Sequence, residues 1–368
     1  MSPRRLLLLL PLLLLPGCFP IELDVRDGKL LIPREEGFFV FDPASGKAAK
    51  VGGNADGKPV FARFSPDGKE LLTVVKGSGF NEFLFSITPA GGGKGRQIYK
   101  AENTAYVLYS PDGANLGIVQ MSKDADPTFK DKVPEFYLLP AKGGTAKKVA
   151  GKVGVLFRWF SDSKRVLIFE LDKKDEMSRY FGSVSVLDVT TGKATPLAAA
   201  AVSQSFFMDL SPDGKKALFT AIAADKPGSD LTKTKEFGSK LFELDVAAGT
   251  TRRIAKDASY AIYSRDGKQV LLGTPPEGFS FDTLKLEVGD AGLTKFTTVA
   301  PDAFKPLALG GGTTFPGWLD DKSVFYFVQK AVYGTEGKSM HLMTVGTDGK
   351  GRRDLQPQID TAAVADAK

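Results

Sequence analysis

Six times along this chain an aromatic residue is followed, three positions on, by a large apolar residue and a short turn containing Asp. The copies are Phe61-Ala-Arg-Phe64-Ser-Pro-Asp-Gly-Lys, Tyr106-Val-Leu-Tyr109-Ser-Pro-Asp-Gly-Ala and Phe157-Arg-Trp-Phe160-Ser-Asp-Ser-Lys. Then come Phe207-Met-Asp-Leu210-Ser-Pro-Asp-Gly-Lys, Tyr260-Ala-Ile-Tyr263-Ser-Arg-Asp-Gly-Lys and Phe315-Pro-Gly-Trp318-Leu-Asp-Asp-Lys. A weaker copy, Val25-Arg-Asp-Gly-Lys, opens the series. Counted between apolar anchors at 25, 64, 109, 160, 210, 263 and 318, the steps are 39, 45, 51, 50, 53 and 55 residues. A unit of that length marks an array of similar supersecondary pieces and leaves little room for a conventional enzyme domain.

Each unit carries four short apolar runs separated by turn residues. In the second unit these are Val60 to Phe64, Glu70 to Val75, Glu82 to Thr88 and Arg96 to Tyr99. The Ser65-Pro66-Asp67-Gly68 turn uses Pro to preset φ and Gly to accept positive φ. Short strands at such spacing read as all-β, and no segment has a sustained helical period, so no helix is expected after the first residues. Four-stranded antiparallel units that cannot bury both faces alone predict a β-propeller over residues 21–356. Seven blades are expected if 21–53 is a blade, six plus an N-terminal hairpin if not. Positions three apart on a strand point to opposite faces, so an innermost strand with two large apolar residues is sandwiched between neighbours. Residues 357–368 are expected to be an unstructured tail.

The Tyr/Phe-x-x-Phe/Tyr-Ser-Pro-Asp-Gly-Lys motif resembles the WD-like "PD" repeats of TolB-type propellers. The resemblance spans residues 21 to about 356. It implies the fold, not a function, because the repeat occurs in many unrelated exported proteins and in the propeller half of prolyl-peptidase-like enzymes. With the first repeat beginning almost at Cys18, the Tol role is not carried over.

Residues 1–17 read as an export signal. Arg4 and Arg5 precede an apolar run from Leu6 to Leu15, which is an n-region and an h-region and falls short of the ~20 residues of a spanning helix. Leu15-Pro16-Gly17-Cys18 follows, and Cys18 is the only cysteine. This resembles a bacterial lipoprotein signal, although Pro16 departs from the usual small or aliphatic residue. The resemblance implies a diacylglyceryl group on Cys18, with residues 18–20 as the lipidated terminus. Phe19, rather than Asp, implies the outer membrane by the enterobacterial sorting rule. The net charge of +6 becomes +4 without Arg4 and Arg5, and the charges are mixed along the chain. No basic block tracks phosphates, so nucleic-acid binding is not expected. A monomer is expected.

No local motif carries chemistry. His341 is the sole histidine, too few for a multi-histidine metal site. There is neither a Gly-x-Ser-x-Gly elbow nor a phosphate-cradling loop. The glycines of 91–95 and 310–312 are read as turn residues. Asp67, Asp112, Asp213 and Asp266 recur on separate blades and are expected to cap their own turns. No catalytic residue, cofactor or metal is therefore assigned. Paired carboxylates drawn from different blades, as in a glycosidase, would leave no local signature.

Two features stand out. Long segments follow the second strand in units three (Met121 to Glu135), four (Leu171 to Phe181), five (Ala223 to Lys240) and seven (Lys330 to Met340), and the crossover 300–316 is also long. In an up-and-down blade these all emerge on one face, where insertions often mark binding. The second feature is charge on innermost strands. Asp24, Arg63 and Asp209 lie one residue before their anchors and Arg158 two before. Buried charge requires partners, so these four form either inter-blade ion pairs or a polar channel mouth. The expectation is an exported, lipid-anchored scaffold for an envelope protein or glycan. The alternative is a hydrolase or lyase of sugars or lactones.

Overall fold

In the computed structural model the described residues are 20–365, apart from 35–36, 52–56, 80, 204–205, 237, 275–282, 305–312 and 332–337. Cys18, and most of the long segment of unit seven, lie outside them. The repeats form seven antiparallel blades over 24–51, 58–102, 104–150, 158–202, 208–253, 260–304 and 317–354. The first repeat is a full blade of Asp24–Arg26, Lys29–Arg34, Gly37–Asp42 and Lys47–Val51, with its strands paired in sequence order.

Neighbouring blades pack through buried apolar clusters, one of which runs through the gaps between blades three and four and between six and seven. Val74, Phe85, Val107 and Ile118 fill the gap between blades two and three. Leu218, Leu241, Ala261 and Leu272 fill that between five and six. The aromatic motif works as expected: Tyr260 enters one cluster and Tyr263 another, on opposite faces of one strand. The inner aromatics need thin neighbours. A Cβ on Gly117 would lie 2.7 Å from the Phe157 ring, so glycine there lets the ring close onto the second strand.

The innermost strands revise one alignment. Trp159 pairs with Val166 as Phe64 pairs with Leu71 and Tyr263 with Val270. Phe160 occupies the slot of Ser65, since its N–H bonds the carbonyl of Arg165 as that of Ser65 bonds Glu70. The anchor of blade four is therefore Trp159, not Phe160. Ser163, at φ 57°, takes the left-handed position held by Gly68 at φ 73°.

Two other expectations are corrected. The segment 223–240 is not all loop, because Ala223–Asp225 pairs with Ala199 to Ala201 as a fifth strand on blade four. A helix, Gln356–Ala365, stands where an unstructured tail was expected. The Asp354 carboxylate accepts from the Gln356 N–H at 3.0 Å, and Ile359 N–H bonds the Leu355 carbonyl at 3.1 Å. Asp354 acts as an N-terminal cap, and Pro357 is tolerated in a first turn. The helix was not legible because it lacks an apolar stripe. Ile359 of the helix and Leu355 just before it join the cluster of Leu30, Phe41, Leu319, Phe325 and Leu342.

That cluster explains how the ring closes. Among the described residues no strand is exchanged between blades one and seven, since each of those two is one continuous stretch of chain. Blade one meets blade seven through apolar packing, and the helix clasps the joint from outside, where Arg34 reaches Asp360 at 3.4 Å. On the inside, Pro20–Glu22 pairs in parallel with Thr313–Phe315. On the turn face, the Arg265 guanidinium donates to the carbonyl of Val25, reaching past the shorter turn of blade seven.

Candidate functional site

The corrected anchor places all four inner-strand charges in one repeat position. Asp24 pairs with Leu31, Arg63 with Leu72, Arg158 with Leu167 and Asp209 with Leu218. The same slot holds Leu108, Ile262 and Gly317 in the other blades. Arg158 Nε donates to Asp209 Oδ1 at 2.7 Å, with side-chain exposures of 11% and 14%. Asp209 Oδ2 accepts from the Tyr263 N–H of the next blade at 2.9 Å. Asp24 Oδ2 does the same for Phe64 N–H at 2.5 Å. Each Asp thus latches the main chain of the following inner strand.

Tyr106 joins the two halves. Its ring lies beneath both guanidiniums, at 5.9 Å from Arg63 and 5.8 Å from Arg158, and Arg158 donates to its hydroxyl at 2.7 Å. The result is a girdle across five blades, ordered Asp24, Arg63, Tyr106, Arg158, Asp209. Burial pushes the Asp24 carboxyl above its usual value, against the pull of Arg63, of the Phe64 N–H and of Arg265. The residue keeps some exposed surface while its carboxyl is enclosed. Arg158 and Asp209 form an ion pair between blades four and five.

The girdle and the long loops lie at opposite ends of the ring. Each inner strand runs from a crossover toward an Asp turn, so a slot one residue before the anchor is near the turn face. The long loops and crossovers share the other face. There, between blades three and four, lies a pocket of about 90 Å³. Phe129, Val133, Phe169, Tyr180, Val202 and Phe206 supply its apolar walls. Phe129 stacks on Tyr180 at 6.5 Å between centroids and 21° between planes, and Phe169 lies 5.0 Å from Phe206. Lys174 pairs with Asp131 at 3.1 Å across the rim and sits 5.6 Å from the Tyr180 ring.

No family model matches the chain, and no curated protein does. Solved structures do. TolB from Acinetobacter baumannii is 15% identical, with a TM-score of 0.50 over 89% of this chain and 78% of that one. Oligogalacturonate lyase in complex with manganese is 14% identical, with a TM-score of 0.60 over 90% and 88%. The β-propeller domain of the trilobed protease from Pyrococcus furiosus, described as having an open velcro topology, is 13% identical, with a TM-score of 0.57 over 92% and 98%. The fold is that of a TolB-like propeller. At these identities the likeness concerns the fold alone.

In this TolB-like propeller the turn aspartates cap their turns. The Ser65 hydroxyl donates to Asp67 at 2.7 Å and the Lys69 N–H at 3.1 Å. Ser110 with Asp112, Ser211 with Asp213 and Ser264 with Asp266 repeat the arrangement at 2.6 to 2.8 Å. His341 Nδ1 lies 2.7 Å from Asp354, beside the helix cap, away from the pocket. Among the described residues no three His, Cys, Asp or Glu gather as metal ligands, and no helix is long and apolar enough to cross a membrane. The pocket aromatics were not singled out from sequence. The signal available was aromatic residues within or flanking long loops, as at Phe129 and Tyr180.

These turns predict an acid limb in stability. Hydroxyl donation from the serines holds Asp67, Asp112 and Asp213 below the usual carboxylate value, and the Lys268 N–H does so for Asp266. The N–H groups of Lys295 and Thr294 take Asp290 down to about 2. A depressed carboxyl lends stability that is present above its unfolded value of about 3.9 and lost as pH falls through the folded value. Asp24, raised by burial, has the opposite sign: its contribution is present below the unfolded value and lost as pH rises through the folded one. With at least five depressed groups against one, the urea midpoint falls from about pH 4 toward pH 2. Asp290→Ala makes that fall shallower. A midpoint that is flat over this range contradicts the assignment.

Proposed function

We propose that the protein is an exported, lipid-anchored propeller that holds an envelope partner on its long-loop face. The observation that carries this reading is the aromatic pocket on that face. Its walls are mostly apolar and offer few polar partners for sugar hydroxyls, which favours a protein side chain over a glycan. Buried aromatic walls with a charged rim fit the anatomy of a hot spot.

The anchor is tested by Cys18→Ser, which releases the protein from the membrane fraction. Mass spectrometry of the wild type finds a lipid-modified Cys18 as its first residue. A different, unlipidated terminus overturns the anchor. The pocket is tested by capture from solubilised envelopes. Phe129→Ala with Tyr180→Ala weakens binding of the captured partner about tenfold or more, as loss of hot-spot contacts does. Arg26→Ala on the turn face leaves affinity unchanged. The reverse result moves the binding face.

A second reading, a sugar-directed lyase or hydrolase, draws on the oligogalacturonate lyase among similar folds. It is disfavoured by the inner-ring carboxylates. Asp24 and Asp209 sit on blades one and five, and both latch neighbouring backbone. Incubation with oligogalacturonates is expected to release no unsaturated product.

A further inference from the structure

The long-loop face also carries the chain's point of attachment. Pro20–Glu22 lies at the entry to the innermost strand of blade one and is paired with Thr313–Phe315, at the entry to that of blade seven. Inner strands enter from the crossover side, so residue 20 emerges on the loop face, next to the axis of the ring. Only two residue steps separate Pro20 from Cys18, which span at most about 7 Å. The link from Cys18 is therefore short, and the strand it leads into, Pro20–Glu22, is hydrogen-bonded to Thr313–Phe315.

A second observation lies on the same face. Among the described residues one large hydrophobic side chain is exposed, Met177 at 58%. It stands at the tip of the loop between Arg165–Lys174 and Tyr180–Asp188. The tip is built, not slack. Asp175 accepts from Met177 N–H at 3.0 Å and Arg179 N–H at 2.9 Å, and Arg179 Nε returns to Asp175 at 2.7 Å. Arg179 also holds the carbonyl of Thr234 in the next long segment at 3.1 Å. A flexible thioether at the end of a braced loop is suited to entering an apolar phase.

We propose that this face lies flat against the phospholipid bilayer that holds the lipid of Cys18, with Met177 entering the interface and the Asp turns pointing away. The inference rests on the anchor in the proposed function. A central link of at most about 7 Å keeps that face nearer the surface than the turn face. The aromatic pocket beside Met177 is then reached from the membrane side.

The test separates orientation from processing in the cell. The chain from Cys18 to Lys368 is coupled through Cys18 to a maleimide lipid in phosphatidylethanolamine–phosphatidylglycerol vesicles. Hydrogen exchange is compared with the same chain capped by N-ethylmaleimide and free in solution. Peptides covering 122–133, 175–179 and 226–236 are expected to exchange about tenfold more slowly on vesicles. The turns at 65–69 and 211–216 are expected to be unchanged. Met177→Asp removes most of the slowing at 175–179 and leaves the free chain's melting temperature unaltered, because the side chain is exposed. Slowing at the turns, or equal exchange on both faces, overturns the orientation. Failure of Cys18 acylation in cells, read separately by mass spectrometry, overturns the anchor itself and with it the native orientation.

Discussion

Truncation after Leu355 is expected to open the ring. The shortened chain loses Ile359 from the joint between blades one and seven, together with the Arg34–Asp360 contact. Among the described residues no strand is exchanged between the first and last blades, and what resists their separation is the Pro20–Glu22 pairing, the Arg265 strut and the apolar packing that remains. A parted joint exposes sheet edges and the faces of Phe41 and Phe325, which template association. The truncated protein should melt lower than wild type and associate with concentration in light scattering. Leu355→Ala isolates the packing contribution. This fully buried residue should cost about 2–5 kcal/mol, read as a lower urea midpoint. An unchanged melting temperature and a monodisperse monomer would show that the helix is an appendage and that the apolar joint holds alone.

Arg158→Met is the second large effect. It removes the guanidinium and leaves Asp209 among apolar neighbours in a position that is mostly buried. Breaking a buried pair from one side costs about 3–5 kcal/mol, much of it the stranded charge. Two contacts at Tyr106 go with it, the hydrogen bond and the cation–π stack. Adding Asp209→Asn should recover part of the loss. The amide is neutral, and its oxygen still accepts from the Tyr263 N–H. If the double variant is no more stable than the single one, the stranded charge is not the main source of the loss and the girdle works chiefly through packing. Partner binding on the loop face should be unaffected in both variants, since the girdle lies toward the opposite end of the ring.

The blades were legible because they are written locally. A Ser-Pro-Asp-Gly-Lys turn states its own geometry: Pro sets φ, Gly takes positive φ, and Asp caps with the serine before it. The expected strands of the second unit, for example, fall within the observed Lys58–Phe64, Glu70–Lys76, Glu82–Pro89 and Arg96–Glu102. Where the turn chemistry weakens, so did the reading. In blade four Ser163 replaces the usual glycine and Phe160 the usual serine, which moved the anchor by one residue. That slip hid the fact that Arg158 shares the slot of Asp24, Arg63 and Asp209.

The pocket and the clasp were illegible for a different reason. Phe129 and Phe206 are 77 positions apart, and nothing local marks them as walls of one cavity. Their meeting depends on the packing of blade three against blade four. The terminal helix has no apolar stripe, and Ile359 with Leu355 before it packs into a groove that only the folded ring supplies. By itself the sequence determined the all-β repeat, the four-stranded unit and the turn capping, because each depends on residues within a few positions of one another. Tertiary structure alone decided the closure of the ring, the alignment of the charged girdle and the face on which the N-terminal stub emerges. Those depend on contacts between blades, where the energy comes from burial and pairing across long stretches of chain that carry no local signal.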